Sequence, residues 1–238
     1  MNRSAILGLL LATVLPVAGY FIVKNYSDKA VHMPRRYFYD SVTVVEKKGK
    51  MVTDTAWHSV KNITFTNQLG KTVTLDSARR KILVLDFFFS RCPVICPQMA
   101  KSMKRLQNSF SNNQDSIVQF ISISIDPEHD SVPRLRAFAD RYTSNHDSWW
   151  FLTGDKKEIY DFALKEMKAN IADPGVDTAF IHTESIFLLD RDRVVRGWYN
   201  AFDTVKLAKL VSDIPLLMLE KRKKRSFQEF LDDLFNRS

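Results

Sequence analysis

The sequence predicts an α/β protein: a three-layer domain with helices on both faces of a sheet, behind an N-terminal transmembrane anchor. Three observations predict it. From residue 63 onward, segments with the two-residue period of strands alternate with segments of helical period. Residues 82–89 form a continuous apolar run of strand length, which suits a central strand covered on both faces. Residues 5–23 carry no charge, and as a helix they are long enough to cross about 30 Å of hydrocarbon.

Composition sets the outer bounds. The chain has 238 residues, 45% apolar and 26% charged, with 7 Gly and 8 Pro, which excludes collagen-like and disordered classes. The chain beyond the apolar run is long enough for one substantial core and too short for two full-sized domains. Two Cys rule out a disulfide scaffold and a four-thiolate zinc site, although not a Cys2His2 site. A net charge of +8 favours an acidic partner or anionic surface. No nucleic-acid-binding motif accompanies it, so no nucleic-acid partner is expected.

The run 5–23 reads as an anchor rather than a cleaved signal. Leu15-Pro16-Val17-Ala18-Gly19 is a poor cleavage site, and the apolar residues continue to Val23. Arg3 precedes the span whereas Lys24, Lys29, Arg35 and Arg36 come after it, a bias that opposes export. Long domains translocate largely regardless of flanking charge, and the thiol chemistry of the domain argues for export. The expected arrangement is a single-pass protein of the cell membrane with its soluble domain on the exported (periplasmic or equivalent) side. The expected divisions are an anchor at 1–24, a lead-in segment at 25–56, the main domain at 57–220 and a basic amphipathic tail at 221–238.

Within the lead-in, Ser41-Val42-Thr43-Val44-Val45 alternates like an edge strand. Residues 63–66 and 72–75, joined by a turn at 67–70, form a hairpin signature. After the central strand, Pro97 opens a helix with Met99, Met103, Leu106 and Phe110 on one face, and 117–125 alternates as a second core strand, completing a βαβ unit. Asp130 or Ser131 can cap the next helix, whose stripe is Leu135, Phe138, Ala139 and Tyr142. A short strand at 149–152 and a helix carrying Ile159, Phe162 and Ala163 come next. Beyond the polar stretch 170–178 lie a strand pair, 185–189 and 194–199, and a final helix from Thr204, capped by Asp203, with Leu207, Leu210, Val211 and Ile214 as its stripe. This order fits a thioredoxin-like arrangement best. The dense charge run Lys221-Arg222-Lys223-Lys224-Arg225 reads first as a solvated helix end and second as a contact for anionic lipid or an acidic partner, shared with Phe227, Phe230, Leu231 and Leu234.

The informative segment is Phe87-Phe88-Phe89-Ser90-Arg91-Cys92-Pro93-Val94-Ile95-Cys96-Pro97, which sets two thiols between a strand end and a helix start. Backbone amides at a helix start stabilise thiolate, and Arg91 can add to this, so one or both thiols are expected to be acidic. Four residues of helix bring both side chains to one face, which permits a disulfide or a two-sulfur chelate. A metal there needs a further ligand. His182 comes after the stretch 170–181 and precedes a core strand, so a mobile loop can carry its imidazole to the thiols. Two thiolates and an imidazole suit Cu(I), and the cofactor expected is a copper ion, with Cu(II) as its second state. Ile125-Asp126-Pro127-Glu128-His129-Asp130 ends the next strand on the same sheet edge, where Asp126 can support the site from behind the ligands or act as a weak oxygen ligand, and His129 is a weaker substitute ligand. His32, His58 and His146 lie in unpatterned polar stretches.

These motifs, the first taken from Asp86 to Pro97, together with Phe180-Ile181-His182-Thr183 before Leu188-Leu189-Asp190, resemble the Sco/SenC family of thioredoxin-fold copper proteins that serve assembly of the binuclear copper site of cytochrome c oxidase. The resemblance runs from about Trp57 to Met218. It implies copper bound by Cys92, Cys96 and His182, a supporting role for Asp126, a membrane anchor, and delivery of the ion or thiol reduction at oxidase subunit II. Arg193 and Ala201 stand where the family commonly has Gly.

Two functions are expected. In the first, the chain is a metallochaperone, not an enzyme, taking copper from an upstream donor and passing it to the oxidase subunit by ligand exchange. In the second, the same two Cys make it a thiol-disulfide oxidoreductase that reduces the Cys pair of a partner protein, and an upstream thiol reductant would regenerate it. A peroxidase on the same fold is disfavoured by the lack of a peroxide-orienting Thr beside Cys92.

Overall fold

A computed structural model describes residues 12–23, 33–47, 49–110, 117–169 and 184–220. The chain divides into two compact units, Met1–Met33 and Pro34–Ser238. In the first, 12–23 form a helix, α1, with side chains such as Leu15, Phe21 and Val23 exposed. Residues 5–11 of the expected span lie outside the described residues, and no described helix is long and apolar enough to cross a membrane.

The second unit is built on a seven-stranded sheet of order β4-β3-β7-β6-β5-β8-β9. Its strands are β3 (Thr64–Asn67), β4 (Thr72–Thr74), β5 (Ile82–Phe88), β6 (Val118–Ser124), β7 (Trp149–Thr153), β8 (Ser185–Leu189) and β9 (Val195–Asn200). β5, β6 and β7 are parallel, as their crossovers through α2 (Ile95–Ser109) and α3 (Val132–Arg141) require, and the flanking pairs are antiparallel. Every residue of β5 and β6 is buried, so helices or loops cover both faces of the sheet centre. The three-layer α/β, thioredoxin-like architecture expected from the sequence is therefore present.

Helical stripes account for the packing. Met99, Met103 and Leu106 of α2 enter the core, with Phe110 closing its end. On α5 (Thr204–Leu219), capped by the Asp203 carboxylate, the buried side chains are Leu210, Asp213, Ile214 and Leu217. Val211 is exposed, because the i, i+3, i+4, i+7 face centred on Leu210 and Ile214 turns it outward. Asp213 is accepted in the stripe because Tyr199 Oη donates to it at 2.6 Å. α4 (Lys156–Asp161) runs into a single wider turn at Phe162–Glu166.

The alternating run at 41–45 is a strand, but not an edge of the main sheet. It belongs to β1 (Tyr39–Lys47), which pairs only with β2 (Lys50–Trp57) in a hairpin turned at Gly49, whose φ of +73° suits glycine. The root of this hairpin is tied to the domain. Tyr37 N–H donates to Val195 O at 3.2 Å, and the His58 ring lies between Asp40 (2.7 Å) and Glu166 (3.0 Å). Arg196, 3% exposed, donates to Pro34 O from Nε (3.1 Å) and Nη2 (2.6 Å), and from Nη1 to Asp190 (2.9 Å) and Glu220 (2.5 Å). One buried guanidinium thus ties the segment entering the domain to the end of α5.

Candidate metal centre

β5 delivers the chain to the carboxyl edge of the sheet, and the loop 89–94 turns it into α2. Val94 occupies the cap position of α2 without a side-chain bond. The free amide of the first turn goes instead to sulfur: Cys96 N–H donates to Cys92 Sγ at 3.3 Å. Pro97, lacking an N–H, fits the same first turn. Both cysteines are thiols, and their side chains are close enough to hydrogen-bond each other. The Cys-x-x-x-Cys spacing therefore does bring the two sulfurs together.

Their surroundings differ from the sequence expectation in one respect. Arg91, Pro93 and Val94 are exposed, but the thiols beneath them are not: Cys92 is 5% exposed and Cys96 3%. Instead of becoming acidic, the Cys96 thiol is pushed well above the ordinary thiol range. The Cys92 side chain beside it is the largest cause and burial the next, with the Phe89 backbone pulling weakly the other way. Two sulfurs in contact and out of water do not both carry charge without a cation.

The neighbouring turn is built to hold this loop. β6 runs parallel to β5 with Phe88 opposite Ser124, so residues 125–130 emerge on the thiol edge. Asp126 is 5% exposed; Arg91 reaches its Oδ2 from Nε (3.1 Å) and Nη2 (2.7 Å), and His129 Nδ1 lies 2.7 Å from its Oδ1. Burial raises this carboxyl, but the hydrogen bonds from His129 and Arg91 outweigh it and hold Asp126 below the usual carboxylate range. Asp130 does not cap α3. It is fully buried and accepts from Ser90 N–H (3.0 Å), from Ser90 Oγ, and from Ser124 Oγ (2.5 Å), while Ser131 occupies the cap position without a side-chain bond. The charge is better used on the thiol loop, where two hydroxyls and an amide would otherwise lack an acceptor.

A third carboxylate lies behind the site, at the residue that opens the first family motif and to which the sequence reading gives no role. Asp86, in the middle of β5, is 2% exposed and accepts from Ser122 Oγ at 2.5 Å, and burial pushes it up to about 7. Ser122 in turn accepts from Trp149 Nε1 at 2.9 Å. A lone Asp inside an apolar strand is the available signal for it.

Of the five His, His182 and His32 lie outside the described residues. His129 stands beside the thiol loop, engaged with Asp126 and Arg91; His58 serves the hairpin root; His146 lies against Gln68 and Asp140. Among the described residues no group of three or more His, Cys, Asp or Glu is arranged to hold a metal ion. β8 runs antiparallel to β5, with Leu83 opposite Leu189 and Leu85 opposite Phe187, so β8 begins at the edge where β5 ends. Position 182 precedes β8 by three residues.

Fold and site together define a thioredoxin-like domain that presents a Cys-x-x-x-Cys dithiol at a strand-to-helix junction. The chain belongs to the SCO1/SenC family, whose model matches residues 52–215. It is 37% identical over 168 residues to the SCO1 protein homolog of Bacillus subtilis, covering 70% of this chain and 86% of that protein. Among solved structures, BsSco, described as a member of the Sco family of cytochrome c oxidase assembly proteins with a disulfide switch, superposes with a TM-score of 0.62 at 36% identity, covering 70% of this chain and 98% of that one. A SCO1/SenC family lipoprotein of Bacillus anthracis also gives 0.62, at 28% identity over 68% of this chain and 95% of that one.

Proposed function

We propose that this chain is a membrane-anchored copper metallochaperone acting in assembly of the binuclear copper site of cytochrome c oxidase, with Cys92, Cys96 and His182 as the copper ligands. The observation that carries the reading is the contact between the two thiols at the carboxyl edge of β5. Membership of the SCO1/SenC family and the relation to a cytochrome c oxidase assembly protein supply the biological direction. Two adjacent sulfurs fit a soft monovalent cation, and an imidazole arriving from the segment before β8 would complete a three-coordinate set. The N-terminal apolar run 5–23 supplies the tether, and the domain would work on the exported side of the membrane.

The chain's own residues divide the work. Cys92 Sγ is held by the Cys96 amide, and the Cys96 proton, held tightly by burial and its neighbour, is the one that ligation must displace, so uptake releases protons. Asp130 fixes the loop through Ser90, and Asp126 orders the facing turn through Arg91 and His129. Entry to the buried sulfurs requires the exposed Pro93–Val94 segment to move aside.

Cu(I) titration against a competing chelator tests the reading. Wild type is expected to bind one equivalent, Cys92→Ser and Cys96→Ser each to lose it, and His182→Ala to bind more weakly. Unchanged affinity in His182→Ala removes that residue from the ligand set.

Two features favour a second reading, thiol-disulfide exchange: the two thiols are within hydrogen-bonding reach of each other, and the related BsSco has a disulfide switch. One thiolate attacks a partner disulfide, forming a mixed disulfide and releasing one partner thiolate. The other thiol, losing its proton, then attacks the mixed bond, leaving a Cys92–Cys96 disulfide and a reduced partner pair. A measured reduction potential above that of the partner's Cys pair, with no exchange activity, removes this reading.

A further inference from the structure

At the amino end of β5, the pole opposite the thiols, the domain holds a cavity of about 380 Å3. The seven residues of β5 separate the two places by roughly 23 Å. The cavity lies between Lys81 at the foot of β5, the 190–194 turn joining β8 to β9, and the end of α5. Five cationic side chains line it: Arg36, Arg79, Lys81, Arg191 and Arg193.

Four carboxylates line it as well, and most of their capacity is already used. Asp190 accepts from the amides of Asp192 and Val194 (both 3.0 Å) and from Arg196. Glu220 accepts from Arg196 and from Arg36 (3.2 Å). Arg196, buried behind the wall, thus offsets acid charge that would otherwise face the cavity. Asp76 stands 3.5 Å from Arg193 Nη1, an ion pair without a hydrogen bond, and Asp192 is the fourth. Lys81 Nζ donates to the neutral Gln119 Oε1 (2.9 Å) and Arg191 Nη2 to the carbonyl of Met218 (3.1 Å).

Arg193 adds two independent signs. Among the described residues its Nη1 is buried without a hydrogen-bond partner, a deficit that is costly in a folded protein. Its backbone sits at φ +62°, a left-handed conformation that disfavours residues with a side chain. A guanidinium held at a strained position with an unmet donor, facing a cation-lined cavity, is a feature of binding sites.

We infer that this cavity is a binding site for a phosphate-class anion, either a free phosphate or the phosphate of a lipid headgroup. Planar guanidinium forks match phosphate oxygens two at a time, and a Lys adds a point charge. The site is remote from the thiols and independent of the copper reading.

The test is calorimetric titration of the full chain in neutral detergent micelles at fixed ionic strength. The probes are inorganic phosphate and glycerol 3-phosphate, with chloride as control. Saturable one-to-one binding is expected, weakened at least about tenfold in Arg191→Gln and in Lys81→Gln, since each removes a charge-assisted hydrogen bond. Equal affinity for the two probes assigns the site to the phosphate group itself, and at least about tenfold tighter binding of glycerol 3-phosphate assigns it to a lipid headgroup. No saturable binding of either probe, or affinity unchanged in both variants, overturns the proposal. Cu(I) affinity serves as the fold control and is expected to be the same in wild type and both variants.

Discussion

The backbone amide of Cys96 donates to the sulfur of Cys92 across 3.3 Å, so that one thiol accepts from the first turn of the helix that carries the other. The site is thereby part of the secondary structure: a change that disturbs the start of α2 disturbs the sulfurs.

Asp130→Ala removes the acceptor shared by Ser90 and Ser124 and leaves the Ser90 amide and the two hydroxyl protons without an acceptor. A loss of about 3 kcal/mol is expected in denaturant unfolding, from hydrogen bonds to a buried charge. The thiols should also react faster with an alkylating reagent under native conditions, because the loop over them has lost its anchor.

Asp86 gives the stability a pH dependence with a definite sign. Its folded pKa is raised to about 7, against about 3.9 unfolded, so between these values the native state holds a proton that the unfolded state has lost. This contribution makes the wild type less stable as pH rises through that window, by up to about 1.4 kcal/mol per unit, and levels off above about 7. Asp86→Asn abolishes the slope. Urea unfolding at about pH 5 and about pH 8 should show the variant gaining relative to wild type at the higher value.

Arg196→Met leaves Asp190 and Glu220 without their buried partner and releases the Pro34 carbonyl. Removing one member of a buried ion pair costs about 3–5 kcal/mol. Hydrogen exchange should report where: the Tyr37 amide, bonded to Val195 O, is expected to lose protection before the amides of β5 and β6.

Asp126→Asn breaks the charge pairing with Arg91 and His129 while preserving shape. As a residue acting from behind the proposed ligands, it should lower Cu(I) affinity about tenfold in competition titrations. The carboxyl is held below its usual range, so its stabilising contribution is present above about pH 4 and is lost as pH falls through the folded value. Acid titration of the variant should lack that component.

Some parts of this molecule are written locally in the chain and others are not. The strands β3 to β9 and helices α2, α3 and α5 are legible because side-chain period and end signals are properties of neighbours in sequence. The Cys92–Cys96 proximity is legible too, but not its geometry: Cys92 lies in the loop before α2 rather than on its first turn, and its sulfur meets the helix by accepting from the Cys96 amide. The run 41–45 is legible as a strand but not in its pairing, because the hydrogen-bond partner of a strand is not encoded in the strand. Periodicity puts Val211 on the wrong face, because a stripe can be shifted by one position without losing its period.

The sequence by itself determined the layers, the dithiol at the strand–helix junction and the family resemblance, all of which are matters of local pattern. Only the tertiary structure decided that the thiols are buried, that Asp130 serves the thiol loop rather than its own helix, that Asp86 lies behind them with its charge suppressed, and that Arg196 gathers both ends of the domain. Each of these depends on desolvation or on partners as far as 40 or 162 residues away, and burial and long-range pairing exist only once the chain has closed on itself.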